Sequence, residues 1–215
     1  MKQKSKSFPN NYLELELLNK GFNSVIGIDE VGRGCWAGPV YLGAYVYNLT
    51  TPPIANVNDS KLISPKLRKA LSQELINCST YNIEIGTVTE INQYGIGDTI
   101  ARLIGRMIEK FKNNESYFLI DGYFKKNFGD NTKQIIKGDT KHYSIAAASI
   151  VAKVARDKRL VELAKQFPEW GFDQHKGYGT ALHIMALNEH GISPIHRINY
   201  KPVAEIAKLK NKYTR

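Results

Sequence analysis

The stretch from Ser24 to Pro39 reads Ser-Val-Ile-Gly-Ile-Asp-Glu-Val-Gly-Arg-Gly-Cys-Trp-Ala-Gly-Pro. Its apolar start, Val25 to Ile28, is too short for a helix and rich in β-branched residues, which predicts a buried strand. Asp29 and Glu30 follow directly, and acids at the end of a strand can hold a metal ion. The glycines and arginine of residues 32–34 allow a close approach of the backbone to a ligand and a contact with phosphate. The stretch therefore predicts a strand that ends at a metal and phosphate site.

The rest of the chain has the composition of a folded domain with a large basic excess. Of 215 residues 42% are hydrophobic, and the net charge is +10 with a sequence pI of about 9.5. This length favours a single domain over residues 1–215. The charge favours a polyanionic partner, nucleic acid first, over the alternative of a generic basic surface.

Cysteine usage and the N-terminus favour a cytoplasmic protein. Cys35 and Cys78 form no motif, which fits a reducing compartment. The N-terminus lacks the apolar segment of a signal peptide, and no apolar run reaches membrane-spanning length. We expect no membrane partner, and we expect a monomer with flexible basic tails at residues 1–10 and 211–215.

Short strands and helices follow one another along the chain. Strands are predicted at 25–28, 40–47, 81–88, 117–120 and 133–136, and helices at 11–20, 64–77, 96–111, 145–165, 180–189 and 202–210. The clearest helix is 96–111, whose apolar residues share one face. Because strands dominate the first half and helices the second, we predict an α/β or α+β domain with a mixed sheet.

Two of the predicted strands end in an acid. Asp29 and Asp121 each follow a short apolar run, so they converge if the two strands are neighbours with aligned ends. A third acid, Asp157, lies late in the helix at 145–165. Clustered carboxylates repel each other unless a cation neutralises them, and oxygen ligands select Mg²⁺ or Mn²⁺. Two such ions roughly 4 Å apart activate a water and stabilise the leaving oxygen in phosphodiester hydrolysis.

Each acid also has a purely structural interpretation. Turns after strands favour Asp, and Asp157 lies four residues after Lys153, the spacing of a helical ion pair worth roughly 0.3 kcal/mol. Adjacent strand residues point to opposite faces. Asp29 and Glu30 therefore share a site only if the strand ends or twists between them, which the following glycine turn favours.

Six ordered motifs lie along the chain. They are Asp-Glu-Val-Gly-Arg-Gly at 29–34, Asn-Asp-Ser-Lys at 58–61, Leu-Ile-Asp-Gly at 119–122, Lys-Gly-Asp at 137–139, the alanine-rich segment 147–157 and His-Lys-Gly-Tyr at 175–178. Together they resemble the motifs of type 2 ribonuclease H, the ribonuclease HII family. The resemblance covers roughly residues 25–203. It implies an RNase H-like fold, with a central mixed β-sheet flanked by helices and a helical C-terminal part.

The resemblance also implies a reaction and a metal site. The expected enzyme is an endonuclease that cleaves the RNA strand of RNA–DNA hybrids. It also cuts on the 5′ side of single ribonucleotides in duplex DNA and leaves a 3′-hydroxyl and a 5′-phosphate. By position, the family's metal-binding carboxylates are Asp29, Glu30, Asp121 and Asp157. They imply two Mg²⁺ or Mn²⁺ ions, with Asp29 bridging both.

The same resemblance implies the substrate contacts. Gly32, Arg33 and Gly34 match the loop that contacts the phosphates and the 2′-hydroxyl of the ribonucleotide, the group that distinguishes RNA from DNA. Tyr178 matches the tyrosine that packs against the sugar on the DNA side of the junction, and Lys61 matches a basic position near the bound strand. The residues alone leave a half-buried loop aromatic and a solvated lysine as the alternatives. Ser149, in the segment 147–157, is expected to be only a small residue in a packed helix.

The chain departs from the family pattern at two places. Leu62 follows Lys61 where many members have a second lysine, so we expect one basic contact to be missing. Cys35 and Trp36 replace the more usual proline and aliphatic residue after the glycine loop, which we expect to alter its rigidity. Arg33 argues against the sister family, ribonuclease HIII, whose loop usually lacks this arginine.

Two other functions stay open on the residues alone. One is a non-catalytic nucleic-acid-binding module of the same fold, and the other is a different nuclease of that fold, such as a junction resolvase. The four acids argue against the first, because carboxylates without a cation would repel DNA phosphates. The glycine loop argues against the second.

Overall fold

The computed structural model describes residues 8–113 and 115–213, with side chains up to residue 208. The strands are β1 (Ser24–Val31), β2 (Val40–Tyr47), β3 (Tyr81–Gly86), β4 (Ser116–Asp121) and β5 (Thr132–Ile135). The helices are α1 (Tyr12–Asn19), α2 (Pro65–Cys78), α3 (Val88–Tyr94), α4 (Ile96–Phe111), α5 (Tyr143–Gln166), α6 (Phe172–His175), α7 (Ala181–His190) and α8 (Lys201–Tyr213). Short 3-10 turns lie at Gly138–Thr140 and Pro168–Trp170.

The described strands form one mixed sheet in the order β3-β2-β1-β4-β5. Its central strand β1 pairs antiparallel with β2, where Ile28 lies opposite Ala44, and parallel with β4, where Ile28 lies beside Ile120. A strand that is buried on both faces has a continuous apolar sequence, as the start of β1 has. The parallel pairing brings the carboxyl ends of β1 and β4 to the same edge of the sheet.

Helices cover both faces of this sheet. Helices α1, α2 and α5 pack on the face that carries Val25 and Leu119, and α4 packs on the face that carries Ile26 and Ile28. Alternate residues of β1 thus enter different cores. The C-terminal part packs against the second half of α5. A smaller core that contains Leu160, Leu163 and Phe172 lies between them. The predicted mixed sheet flanked by helices is confirmed, and no helix in the described ranges has the length and apolarity to cross a membrane.

Small residues allow α5 to lie directly on the sheet. Gly27 of β1 lies so close to the backbone of Ser144 that a Cβ there would overlap it. Gly43 of β2 lies in the same way against the backbone of Ala148, next to the Cβ of Ala152. The alanine-rich start of α5 is therefore explained by close packing, and this packing carries Ser149 to the carboxyl end of β1.

The predicted strand at 81–88 ends early, at Gly86, because a helix starts there instead. The Oγ1 of Thr87 accepts a hydrogen bond from the N–H of Glu90, whose carboxylate accepts one from the N–H of Thr87 at 2.7 Å. This reciprocal pair is a capping box, which begins a helix. Helix α3 was not predicted, although the Thr-x-x-Glu spacing indicates it.

The structure describes part of both predicted tails. Asn10 lies within the predicted 1–10 tail, yet it forms backbone hydrogen bonds with Lys141 and Tyr143. At the other end, α8 extends to Tyr213, into the predicted 211–215 tail. Residues 1–7 and 214–215 of those tails lie outside the described residues.

Candidate active site

Three carboxylates meet at the carboxyl ends of β1 and β4. Asp29, Glu30 and Asp121 each bring one oxygen to within 4.8 Å of the others. Strand β1 continues through Val31, so it does not end between Asp29 and Glu30. Its pairing with β4 stops at Ile28. The two acids that follow therefore lie at an open edge, where both side chains can reach one site.

The electrostatics of these carboxylates fit a bound cation. Burial raises the pKa of Asp29 well above its ordinary value, and the charges of Glu30 and Asp121 raise it further. Burial also raises the pKa of Glu30 to about 7, opposed by Arg33, whose Nη1 lies 3.5 Å from Glu30 Oε1. A divalent cation relieves such repulsion, and a donor set made only of oxygens suits Mg²⁺ or Mn²⁺. The residues present thus fit the metal site that the sequence predicts.

Asp139 is a fourth acid beside this group. It follows Gly138, whose N–H donates a hydrogen bond of 2.6 Å to Oδ1 of Asp121. Burial raises the pKa of Asp139, and the charge of Asp121 raises it further. Asp139 in turn contributes to the raised pKa of Asp29. The Lys-Gly-Asp motif at 137–139 was the sequence signal for this residue, but it had been given no role.

Asp157 is not in the carboxylate group found among the described residues. Its Oδ1 accepts a hydrogen bond from Lys153 Nζ at 2.7 Å, and its Oδ2 lies 3.7 Å from Arg68 Nη1. The i,i+4 pair with Lys153 is the structural alternative that its spacing indicated. Of the four predicted acids, the structure brings together Asp29, Glu30 and Asp121. Asp139 interacts electrostatically with Asp29 and Asp121, whereas Asp157 is paired with Lys153 and Arg68.

Two polar side chains act on the carboxylates from neighbouring elements. Burial raises the pKa of Asp29, and a hydrogen bond from Ser149 partly offsets that rise. The Ser149 hydroxyl also lies 2.9 Å from that of Ser60, so Ser149 is more than a small packing residue. Burial opposes the charged form of Lys61, but the charges of Asp59 and Asp139 outweigh it and raise the pKa of Lys61.

A cleft of about 290 Å³ adjoins the carboxylates. Its lining consists of residues 30–34 together with Ser60, Lys61, Ser149, Lys153 and Tyr178. All five residues predicted to contact the substrate, Gly32, Arg33, Gly34, Lys61 and Tyr178, therefore line one cleft. Glu30 belongs both to this cleft and to the carboxylate group, so the two sites are continuous.

The segment that carries Tyr178 is tied to the glycine loop through Trp36. The N–H of Trp36 donates a hydrogen bond of 2.8 Å to the carbonyl of Gly177, and its indole packs so closely on Gly179 that a Cβ there would overlap it. Residue Tyr178 is 36% exposed, and Lys153 Nζ lies 5.5 Å from the centroid of its ring. The unusual Trp36 thus joins two segments of the cleft.

A mixed five-stranded sheet between helices, with a group of three carboxylates at the ends of its central strands, has the architecture of the RNase H-like fold, and this donor set suits a divalent cation. The family model described as Ribonuclease HII matches residues 26–203. The chain belongs to the ribonuclease HII family, and it is therefore a ribonuclease H, a metal-dependent phosphodiester endonuclease.

Known relatives agree with this assignment. Ribonuclease HII of Caldicellulosiruptor bescii is 42% identical over 193 residues, covering 88% of this chain and 93% of that protein. Ribonuclease HII of Endomicrobium trichonymphae is 43% identical over 190 residues, covering 87% and 90%. The crystal structure of ribonuclease H2 from Pyrococcus horikoshii is similar with a TM-score of 0.75 at 24% identity, covering 88% of this chain and 99% of that one. The predicted family and fold are confirmed.

Proposed function

We propose that this ribonuclease H cuts duplex DNA on the 5′ side of a single embedded ribonucleotide, as well as the RNA strand of hybrids. The products carry a 3′-hydroxyl and a 5′-phosphate. The observation that carries the proposal is the cleft itself, in which the glycine loop and Tyr178 adjoin Glu30 of the carboxylate group.

The two sides of the cleft have different roles in this proposal. Gly32 and Gly34 leave the backbone accessible, so that its N–H groups reach the 2′-hydroxyl and the phosphate beside it. Arg33, whose side chain is 48% exposed, neutralises a phosphate. Tyr178 packs its ring on the sugar of the neighbouring deoxyribonucleotide, where a 2′-hydroxyl would not fit. Lys61, kept charged by the acids around it, contacts a phosphate of the cleaved strand.

Asp29, Glu30 and Asp121 would hold two Mg²⁺ or Mn²⁺ ions in this proposal, with Asp139 in the place first predicted for Asp157. Ions bound there would supply activation of a water and charge stabilisation for the leaving oxygen. The chain's own contribution is to fix the carboxylates. The N–H of Gly138 holds Asp121, as described above, and Ser149 holds Asp29.

The partners and location follow from charge and from the described residues. The net charge of +10 supports a duplex partner. We propose that the protein acts as a monomer. Cys35 and Cys78 are both free thiols, which supports a reducing compartment, the cytoplasm.

The proposal is tested with duplex DNA that carries one ribonucleotide, incubated with Mg²⁺ or Mn²⁺. We expect one cut, 5′ to the ribonucleotide, and a new end that a DNA polymerase extends because it is a 3′-hydroxyl. The same duplex without the ribonucleotide is the control and stays intact. A ribonucleotide duplex that remains uncut with both metals across a range of pH contradicts the proposal.

One variant and one further substrate test the two other functions. Asp29→Asn should lose turnover and keep much of its duplex binding, whereas a non-catalytic module would show no cleavage before or after the substitution. An all-DNA four-way junction should remain uncut, whereas a junction resolvase would cleave it.

A further inference from the structure

The two largest fully buried side chains of the described residues are arginines, Arg156 in α5 and Arg197 just before α8. Neither is within ion-pair distance of a carboxylate in the described part of the chain, and both donate instead to main-chain carbonyl groups. A buried charge without a counter-ion is costly. A role beyond packing is therefore required to account for them.

Arg197 holds the carbonyl groups of the glycine loop. Its Nη1 donates to the carbonyl oxygens of Gly32 at 2.8 Å and Arg33 at 3.1 Å, and its Nε donates to that of Gly38 at 2.9 Å. The hydroxyl of Tyr200 also donates to the carbonyl of Arg33. The Nη2 of Arg197 is buried without a partner among the described residues. The described hydrogen bonds of this guanidinium thus serve the turn at 32–38 and Tyr200.

Arg156 holds the second half of the same turn. Its Nε donates to the carbonyl of Pro39 at 3.1 Å, and its Nη2 donates to that of Ala37 at 3.3 Å. Its Nη1 donates to the carbonyl of Lys176 at 3.0 Å, two residues before the tyrosine of the cleft. The guanidinium also fills the space beside Gly32, where a Cβ would overlap it. Arg156 therefore connects the two segments that line the cleft.

The bonds to Arg197 fix which groups of the glycine loop face the cleft. In a trans peptide the C=O and the N–H point in opposite directions. Because the carbonyls of Gly32 and Arg33 point to Arg197, the N–H groups of Arg33 and Gly34 point away from it. Within the described residues these two N–H groups have no hydrogen-bond partner, and residues 32–34 line the cleft. The buried cation also polarises both peptide groups, which strengthens them as donors.

We propose that Arg197 is a positioning residue for ribonucleotide recognition, which turns the N–H groups of Arg33 and Gly34 toward the 2′-hydroxyl in the cleft. This inference rests on the proposed function and specifies the origin of its selectivity. Arg197 touches neither substrate nor metal. Its loss should reduce selectivity for the ribonucleotide while leaving the general affinity for duplex DNA unchanged.

The experiment compares two constants of the full-length protein. One is kcat/KM for a duplex with a single ribonucleotide, and the other is the inhibition constant of the same duplex made only of DNA. Arg197→Met keeps the length of the side chain but removes its donors, and kcat/KM should fall about a hundredfold, as expected for a displaced recognition element. The inhibition constant should stay within about twofold, because phosphate contacts set non-specific binding.

Matched variants separate recognition from stability. Arg197→Lys keeps the charge without the fork of donors, so it should give an intermediate loss. Tyr200→Phe removes only the hydroxyl that donates to Arg33, and kcat/KM should fall about fivefold with the fold intact. Arg106→Met removes an exposed arginine that pairs with Glu84 and Glu90, and both constants should stay at their wild-type values.

The outcomes distinguish this inference from the function on which it rests. If kcat/KM and the inhibition constant change in parallel in Arg197→Lys and Tyr200→Phe, the positioning role is overturned, even where Arg197→Met fails to fold. If the wild-type protein does not cut the ribonucleotide duplex, the proposed function and this inference are both overturned.

Discussion

The N–H of Gly138 donates a hydrogen bond of 2.6 Å to Oδ1 of Asp121. This bond joins the end of β4 to the short turn Gly138–Thr140, which carries Asp139. The position of Asp139 beside the carboxylate group is thus fixed through the main chain rather than through a long side chain. Asp157 lies outside the carboxylate group and is linked to the cleft through Lys153, with which its carboxylate is paired.

We predict that Asp139 and Asp157 differ in their importance for turnover. Asp139→Asn should reduce single-turnover cleavage at least about 100-fold, since even residues behind metal ligands typically contribute 10–100-fold. Asp157→Asn should cause a clearly smaller loss, because it removes the partly buried ion pairs with Lys153 and Arg68 but no oxygen of the carboxylate group. Single-turnover rates with Mg²⁺ check both variants. A larger loss of rate in Asp157→Asn than in Asp139→Asn would assign the fourth acid of the site to Asp157 instead of Asp139.

A second prediction concerns the repulsion within the carboxylate group. Asp29→Asn removes one buried charge from beside Glu30 and Asp121, so the metal-free protein should gain about 0.5–2 kcal/mol of unfolding free energy. Thermal unfolding with a chelator measures this gain, at about 2–4 °C per kcal/mol for a chain of this size.

The same variant should respond less to metal. Mn²⁺ at about 100 times its Kd adds about 2.7 kcal/mol to the stability of a protein that binds it only when folded, and the wild-type melting temperature should rise accordingly. Asp29→Asn should show a smaller rise. An equal rise in both proteins would place the metal elsewhere.

Tyr178→Ala should affect substrates unequally. We expect a larger loss of kcat/KM on a duplex with one ribonucleotide than on a long RNA–DNA hybrid, because only the former depends on the junction contact. Tyr178→Phe retains the ring and should behave like the wild type. Steady-state rates on both substrates check this, and equal losses on the two would argue against a junction role.

Two buried histidines make the stability of the C-terminal part depend on pH. The Nε2 atoms of His183 and His196 lie 2.9 Å apart, so they share one proton. His183 Nδ1 must donate to the carbonyl of Tyr178, which lies 3.0 Å away, and His196 Nδ1 accepts from the N–H of Ser193 at 2.8 Å. Both rings are therefore neutral. Burial lowers the pKa of His183 to about 4 and that of His196 to about 3.

The sign of the pH effect follows from these values. Below the unfolded pKa of about 6.5 the unfolded chain binds protons that the folded chain does not. The contribution of these two histidines to stability should therefore be constant above pH 6.5 and fall by at least about 3 kcal/mol as the pH approaches 4, at about 1.4 kcal/mol per pKa unit. Urea unfolding between pH 7 and pH 4.5 measures this fall. His196→Gln should flatten it, and an unchanged slope in that variant would assign the pH effect to other groups.

The contact between β1 and α5 gives a prediction for stability alone. Gly27→Ala should lower the free energy of unfolding by about 3 kcal/mol or more, because the new Cβ overlaps the backbone at Ser144. Gly105→Ala is the matched control, since Gly105 lies within α4 with no atom within 4 Å of a new Cβ. This control should gain about 1 kcal/mol from helix propensity. Chemical denaturation of the two variants checks the difference, and similar values for both would contradict the packing argument.

Local patterns predicted most elements of the fold because each carried its own signal. The apolar face of 96–111 predicted α4 with its observed bounds, and the strand 40–47 was predicted likewise. Helix α3 was missed although Thr87 and Glu90 form its capping box, because the alternation of strand β3 was extended across its start.

The carboxylate group was predicted where it depends on strand ends, and missed where it depends on tertiary structure. Asp29 and Asp121 are neighbours because two apolar runs pair in parallel, and those runs are visible in the sequence. Asp139 lies in a 3-10 turn whose position is set by its bond to Asp121. The roles of Arg156 and Arg197 depend on carbonyl groups more than 110 residues away along the chain, which no local pattern encodes.

The parallel pairing of β1 with β4 also constrains how the protein folds. The hydroxyls of Ser24 and Ser116, at the start of the two strands, lie 3.1 Å apart although 92 residues separate them. Contacts between residues so far apart in the sequence form late and slow folding, because the chain between them must first lose conformational entropy. A ribosome-bound chain that has not yet released β4 therefore has Asp29 and Glu30 without Asp121 beside them, and the carboxylate group assembles only when β4 joins the sheet.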